Sequence, residues 1–240
     1  SGKGQPKVES RTTKMKEVWG DADIYLMTLD ESNITKMQLD LMHKITNKHA
    51  IILHTSGSTP IKVLLKSFNN YGVLYPLQTF TKGVKVNFSE VPILIEASNK
   101  ATLKKVNELA NVLSKNTLEM SSSQRIGLHL AAVFANNFTN NMYAIAYDIL
   151  KKLNLPYSLL EPIIKETTNK ALRGNPHEMQ TGPAKRGDLN TIIHHILALK
   201  NLKIFKHSDL YVHSTSSINP KAGLEMKDFF DKEIKSYKKK

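Results

Sequence analysis

The chain has 240 residues, with 34 Lys and Arg against 21 Asp and Glu and a formal net charge of +13. At 40% hydrophobic and 23% charged residues it is a globular sequence, long enough to bury a core as one or two domains. No run reaches the roughly 18–20 apolar residues of a membrane helix, no signal-peptide segment stands at the start, and the lack of cysteine removes disulfides and thiolate metal sites, so a cytoplasmic protein is expected. The excess charge is scattered as lysine, without a zinc-finger pattern, an aromatic RNA-binding signature or an arginine-rich arm. Nucleic acid is therefore set aside as a partner, and the field is left to steer an anionic cofactor or substrate.

In chain order, the apolar run from Ile24 to Leu29 predicts a buried strand, with Ser32 or Asn33 capping a helix over 33–47. Ala50 to Leu53 predicts a second strand, ending in His54-Thr55-Ser56-Gly57-Ser58-Thr59-Pro60 and followed by a helix over Ile61 to Phe68. Gly72 to Tyr75 is a third strand stopped by Pro76, and Ile93 to Ile95 a fourth. This alternation predicts an open parallel α/β sheet, whose ligands sit beyond the carboxyl ends of the strands. From about residue 101 the pattern becomes helical, over 101–115, 121–152, 157–173 and 188–202, and no further strand is expected. The change near 96–101 marks a boundary between an α/β and a helical domain, with a small-molecule cleft between them. The end of the chain is hard to place, with a basic amphipathic helix from Lys227 as one option.

Polar residues collect at the strand ends: Thr28 after the first, His54 to Ser58 after the second, and Tyr75 to Thr79, including Gln78, after the third. For the His54 turn two readings stand, a capped turn relieved by Gly57 and a turn that also touches ligand. In the long helix His129, Val133, Asn137 and Asn141 follow a four-residue spacing, with Asn136 and Asn140 on an adjoining strip. His129 is a candidate acid or base near neutral pH, and the asparagines either orient a substrate or join helices by hydrogen bonds. Further on, Thr181-Gly182-Pro183 precedes Arg186-Gly187-Asp188, in which Arg186 is an anion contact or a local partner of Asp188, itself a candidate helix cap. The histidines have no compact ligand spacing, and no metal site is expected.

HTSGS at 54–58, YGVLYPLQTF at 71–80, LHLAAVFANNFTNNMYA at 128–144 and TGPAKRGD at 181–188 resemble the Rossmann-like proteins that carry the DUF2520 domain. These are read as NAD(P)-dependent oxidoreductases, similar in plan to pyrroline-5-carboxylate reductase and the 6-phosphogluconate dehydrogenase group. The resemblance implies a Rossmann-like parallel-sheet domain over 1–98, then an all-helical domain over 99–240 of the 6-phosphogluconate dehydrogenase C-terminal type, paired as a homodimer through its helices. It implies NADP or NAD as cofactor and a small carbonyl, imine or alcohol as substrate. His129 and Asn137 take the catalytic positions, with Gln78, Asn136, Thr181, Arg186 and Asp188 around the substrate. Thr28, His54, Thr55, Ser56 and Gly57 lie on the cofactor side.

The front of the chain departs from that pattern. Gly2 and Gly4 do not make the strand, glycine turn and helix that cradle a pyrophosphate. Val8 to Thr12 is similar to the end of the family's second strand, which would bring Ser10, Arg11 and Thr12 to the adenosine ribose; the other reading is a basic terminus. The chain thus reads as shortened relative to the family, and a non-catalytic nucleotide- or metabolite-binding module stands as the alternative to an enzyme.

Overall fold

The computed structural model describes residues 11–64 and 68–226, with 229 and 231. Gly2, Gly4 and Ser10, part of the helix expected over 61–68, and most of the basic tail lie outside the described residues.

Five strands form one sheet in the order β1 (Ile24–Met27), β2 (Ile51–His54), β3 (Tyr71–Pro76), β4 (Ile93–Ala97) and β5 (Thr117–Glu119). The pairs β1/β2, β2/β3 and β4/β5 are parallel. The pair β3/β4 is antiparallel, with Val73 opposite Glu96, which corrects the expectation that the fourth strand runs with the first three. The cause is the connection: residues 77–92 hold only a short 3-10 turn, Phe88–Glu90, where a parallel return takes a longer crossover, usually a helix. β5 went unexpected because three partly exposed residues carry no apolar pattern.

Both sheet faces are covered, which is why β2 reads as an unbroken apolar run. Helix α1 (Glu31–Lys44) puts Ile34 and Leu41 against Tyr25, Met27 and Ile52. On the other face α2 (Lys100–Leu113) puts Val106 and Ala110 against Ile51, Leu53, Leu74, Ile93 and Ile95. The cap of α1 is Asp30, whose carboxylate accepts the Asn33 N–H at 3.2 Å, rather than Ser32 or Asn33. A carboxylate one residue before the first turn reaches its unpaired N–H groups, and one inside that turn does not.

The helix expected over 121–152 is divided. It consists of α3 (Ser122–Ala132), a π-helical turn at Val133–Phe138, and α4 (Thr139–Lys152). There follow a 3-10 turn at Tyr157–Leu160 and helices α5 (Glu161–Arg173), α6 (Pro183–Arg186), α7 (Leu189–Asn201) and α8 (Ser208–Ile218). An N-terminal parallel Rossmann-like sheet domain followed by an all-helical part is thus the architecture. Contacts gather the chain into two compact units, 1–137 and 138–240. That division falls later than the compositional change near residue 98, because α2 packs on the sheet and β5 completes it. Within the second unit α7 supplies Ile192 and Ile196 to a core with Phe205 and Met226, whereas α4 and α5 bury none of their residues. Among the described residues no helix is long and apolar enough to cross a membrane.

Candidate functional site

Because β1, β2 and β3 are parallel, their carboxyl ends share one edge of the sheet. The turn after β2 is built there by its own side chains. The Thr55 N–H and hydroxyl both donate to the carbonyl of Met27, at 3.3 and 3.4 Å. Ser56 Oγ accepts the N–H groups of Ser58 and Thr59 at 3.3 and 3.0 Å. His54 is fully buried, and its Nδ1 accepts the Ser56 N–H at 3.2 Å. Nδ1 therefore lacks a proton and Nε2 carries it, with no partner among the described residues. Burial, with the nearby Arg125 guanidinium second, pushes the His54 pKa down to about 4, so the ring is neutral.

Arg125 anchors this turn to α3. Its side chain, 1% exposed, is ion-paired with Glu96 at the end of β4 and donates to the Thr59 carbonyl at 2.6 Å. Ser122 completes the junction, its N–H and hydroxyl donating to Glu96 at 3.0 and 2.7 Å while its Oγ accepts the Ile61 N–H at 2.9 Å. A buried charge of this kind is tolerated where it is paired and hydrogen-bonded. The start of α3 is also closed by a capping box between Ser121 and Gln124.

One turn beyond Arg125 on the same helical strip stands His129. Its Nδ1 lies 3.0 Å from the Tyr75 hydroxyl, and the two rings meet edge to face at 73°. Burial raises the Tyr75 pKa, against a smaller opposing pull from Arg125, and so keeps the phenol protonated. Gly57 fits beneath the pair only because it is glycine: a Cβ there would stand 2.6 Å from His129 Nδ1 and 2.8 Å from Tyr75 Cζ. Three sequence-distant residues thus converge, with His129 turning Nε2 away from its one hydrogen-bond partner.

The other expected site residues are distributed as follows. Thr28 is exposed just past β1, and Gln78, exposed past β3, accepts the Thr79 N–H on its own side chain. Asn136 and Asn137 are exposed on the π turn. That turn alters the four-residue spacing on which their common face with His129 was reasoned, since i→i+5 bonding inserts an extra residue into the turn; such insertions are frequent at functional sites. Arg11 is exposed, and Thr12 donates to Glu17 Oε2 at 2.7 Å and accepts the Lys14 N–H at 2.9 Å, closing a 3-10 turn.

In the second unit, Asp188 caps α7 by accepting the Thr191 N–H and hydroxyl at 3.1 and 2.7 Å. Those bonds hold its carboxyl below the usual range. Gly187, at φ 67°, turns the chain between α6 and α7 in the left-handed region. The Arg186 charge adds to the lowering of the Asp188 carboxyl after the Thr191 bonds, and Thr181 offers its carbonyl to Gln180 at 3.0 Å. Among the described residues no group of His, Asp and Glu could hold a metal ion.

Sequence reasoning missed Tyr75 as the partner of His129, and missed the Arg125, Glu96 and Ser122 junction. The signal for the junction was a single acid closing the apolar strand Ile93-Leu94-Ile95-Glu96 and a single base in the first turn of an otherwise apolar helix. Nothing local in either segment says that they meet.

Comparison with known proteins agrees with this fold. Residues 91–218 match the family described as Domain of unknown function (DUF2520). A Bacteroides fragilis protein described as a candidate NADP oxidoreductase is 38% identical over 87% of this chain and 80% of its own, with a TM-score of 0.81. A Thermotoga maritima protein is 20% identical over 87% of this chain and 81% of its own, at TM-score 0.69. An imine reductase from Myxococcus stipitatus, in complex with NADP+, shares the fold at TM-score 0.61 with 14% identity, over 87% of this chain and 78% of its own. No curated protein matches the chain. The chain belongs to the DUF2520 family, a Rossmann-like family that shares its fold with imine reductases.

Proposed function

We propose that this DUF2520 chain is an NAD(P)-dependent oxidoreductase acting on a small carbonyl, imine or alcohol. The observation that carries the reading is the Tyr75–His129 pair closed over Gly57 at the edge where parallel strands end. Sheets of this class take their ligands at such an edge, and an imidazole held by one nitrogen there can polarise a substrate or exchange a proton with it through the other. The cofactor is supported by relatives: the Bacteroides fragilis protein is described as a candidate NADP oxidoreductase, and the Myxococcus stipitatus enzyme is in complex with NADP+.

The residues present fit the reacting end of such a cofactor in their chemistry, since the exposed Thr28 and the half-buried Thr55 and Ser56 put hydroxyls and backbone at the edge where parallel strands end. Thr28, Thr55, Ser56 and Gly57 would hold that end, with Ser10, Arg11 and Thr12 toward the adenosine. NADP or NAD, when bound, supplies or takes a hydride. His54, wholly enclosed, would act behind the turn by holding Ser56 in place. His129 would polarise the reacting atom, Asn137 and Asn136 would orient the substrate by their amides, and Gln78 would complete its surroundings. In this reading the nucleotide-binding domain is the sheet unit, which runs past the boundary expected at 98 to take in α2 and β5, and the helices of 138–240 form the second.

The same reading includes a cytoplasmic homodimer. Helices α4 and α5 bury nothing, while Phe138, Met142, Leu159, Ile163 and Leu172 are exposed on the second unit, Leu172 at 82%. Amphipathic helices with uncovered apolar faces call for a partner, and a second copy is the one proposed.

The test is calorimetric titration with NADPH and NADH, followed by absorbance at 340 nm across a panel of small ketones, aldehydes, imines and alcohols. Binding with turnover of at least one substrate class is the expected result. No binding of either nucleotide overturns the reading, and binding without turnover replaces it with the metabolite-sensing module.

A further inference from the structure

The hydrogen bond between Tyr75 and His129 has a direction, and hydrogen-bond accounting supplies it. The Tyr75 hydroxyl has one partner among the described residues, His129 Nδ1 at 3.0 Å. If the ring donated to the phenol, the phenolic proton of this half-buried side chain would have no acceptor among the described residues and would depend on solvent. If the phenol donates, both atoms are satisfied and the ring proton must sit on Nε2. Burial keeps Tyr75 a phenol, with a proton to donate. Gly57 fixes the geometry from below, since the space a Cβ would need is taken by the two bonded groups themselves.

We infer that Tyr75 is a positioning residue that holds His129 with its proton on Nε2, so that the site serves a substrate whose reacting atom carries a lone pair, a carbonyl oxygen or a neutral imine nitrogen. The substrate half rests on the oxidoreductase reading above; the tautomer half does not. An imidazole N–H aimed at such an atom stabilises the negative charge that grows on it as the hydride arrives, and the product atom then takes its proton from solvent. A permanently charged iminium offers no lone pair and gains nothing from this donor. The pair therefore selects among substrates by whether they can accept a hydrogen bond.

The test uses two- and three-bond proton–nitrogen correlations on the uniformly nitrogen-15-labelled full chain, without cofactor or substrate. His129 is assigned by its disappearance in His129→Gln. The expected spectrum shows Nε2 protonated and Nδ1 unprotonated and hydrogen-bonded in the native protein. In Tyr75→Phe the Nδ1 resonance moves to that of an unbonded ring nitrogen, while the His54 signals stay in place and report an intact fold. A native proton on Nδ1, or an unchanged Nδ1 resonance in Tyr75→Phe, overturns the inference. If a substrate is found, Tyr75→Phe is expected to lower kcat roughly tenfold for carbonyl substrates, with KM for the nucleotide unchanged and a preformed N,N-dialkyl iminium unaffected. Equal loss for both overturns the substrate half, and absence of any turnover speaks against the enzyme reading while leaving the tautomer result standing.

Discussion

The two units use polar residues in opposite ways. In the first, polar groups are drawn inward and tie distant segments: Arg125 and His54 are fully buried, and the partners of Arg125 come from β4 and from the turn after β2. In the second, Asp188 caps its own helix through Thr191, and the ties between helices, His195 to Tyr211 and Asn219 to the Ala184 carbonyl, are made by partly exposed groups, while α4 and α5 bury none of their residues fully. The contrast separates two problems. The first unit spends its polar interior on holding a constellation around His129 in place, and the second leaves apolar side chains such as Ile163 and Leu172 exposed.

The largest effect is expected at the junction. Arg125→Ala leaves Glu96 without its cation and the Thr59 carbonyl without its donor, and loss of one member of a buried pair costs about 3–5 kcal/mol. Thermal or urea unfolding of the variant measures it; a loss under about 1 kcal/mol, the range of surface pairs, would remove the junction from the account and with it the contrast between the units.

Gly57→Ala comes next. Its methyl would press on His129 and Tyr75 at 2.6 and 2.8 Å, and overpacking of this kind costs about 1–3 kcal/mol. The ring contact is also expected to open, which the His129 resonances report. Full stability with unshifted resonances would show that the turn has room the account denies it.

Acid titration separates the units more finely. The His54 pKa is lowered in the folded state, so above its ordinary value near 6.5 the ring is neutral in both folded and unfolded chains. Below that value the unfolded chain takes up a proton that the folded chain refuses, and stability falls until pH reaches about 4. His54→Gln is expected to flatten the slope in this window; an unchanged slope would mean that another group sets it. The smallest effect belongs to Asp188, whose lowered pKa gives a contribution present above the ordinary carboxylate range and lost as pH falls through the folded value. Asp188→Asn is expected to alter the acid limb below the His54 window alone, read by helix content during the same titration.

The largest of these effects was the least legible in the sequence. β1 to β4 stood out as apolar runs because both faces of the sheet are covered, and α7 was placed by Asp188 and its apolar spacing. The reversed direction of β4 was hidden because an apolar run carries no sign of which way its neighbour points; only the missing crossover helix between 77 and 92 bore on it. His129 and the His54 turn were singled out by residue type at strand ends and within a helix. Tyr75 was named at the end of the third strand, but its pairing with His129, 54 residues on, was not visible, and Arg125 and Glu96 lie 29 residues apart with no shared local pattern. The π turn was invisible for a related reason: four-residue spacing describes an unbroken helix, and the insertion at 133–138 follows from packing and bonding that the letters do not display.

The most direct measurement is NADPH oxidation by the native chain and by His129→Asn with the same carbonyl substrate, after both are shown to bind NADPH alike. The account predicts that kcat falls by roughly 10²–10⁴ in the variant, with nucleotide affinity unchanged. Equal turnover by the two proteins would contradict it, and would move the chemistry away from the Tyr75–His129 pair.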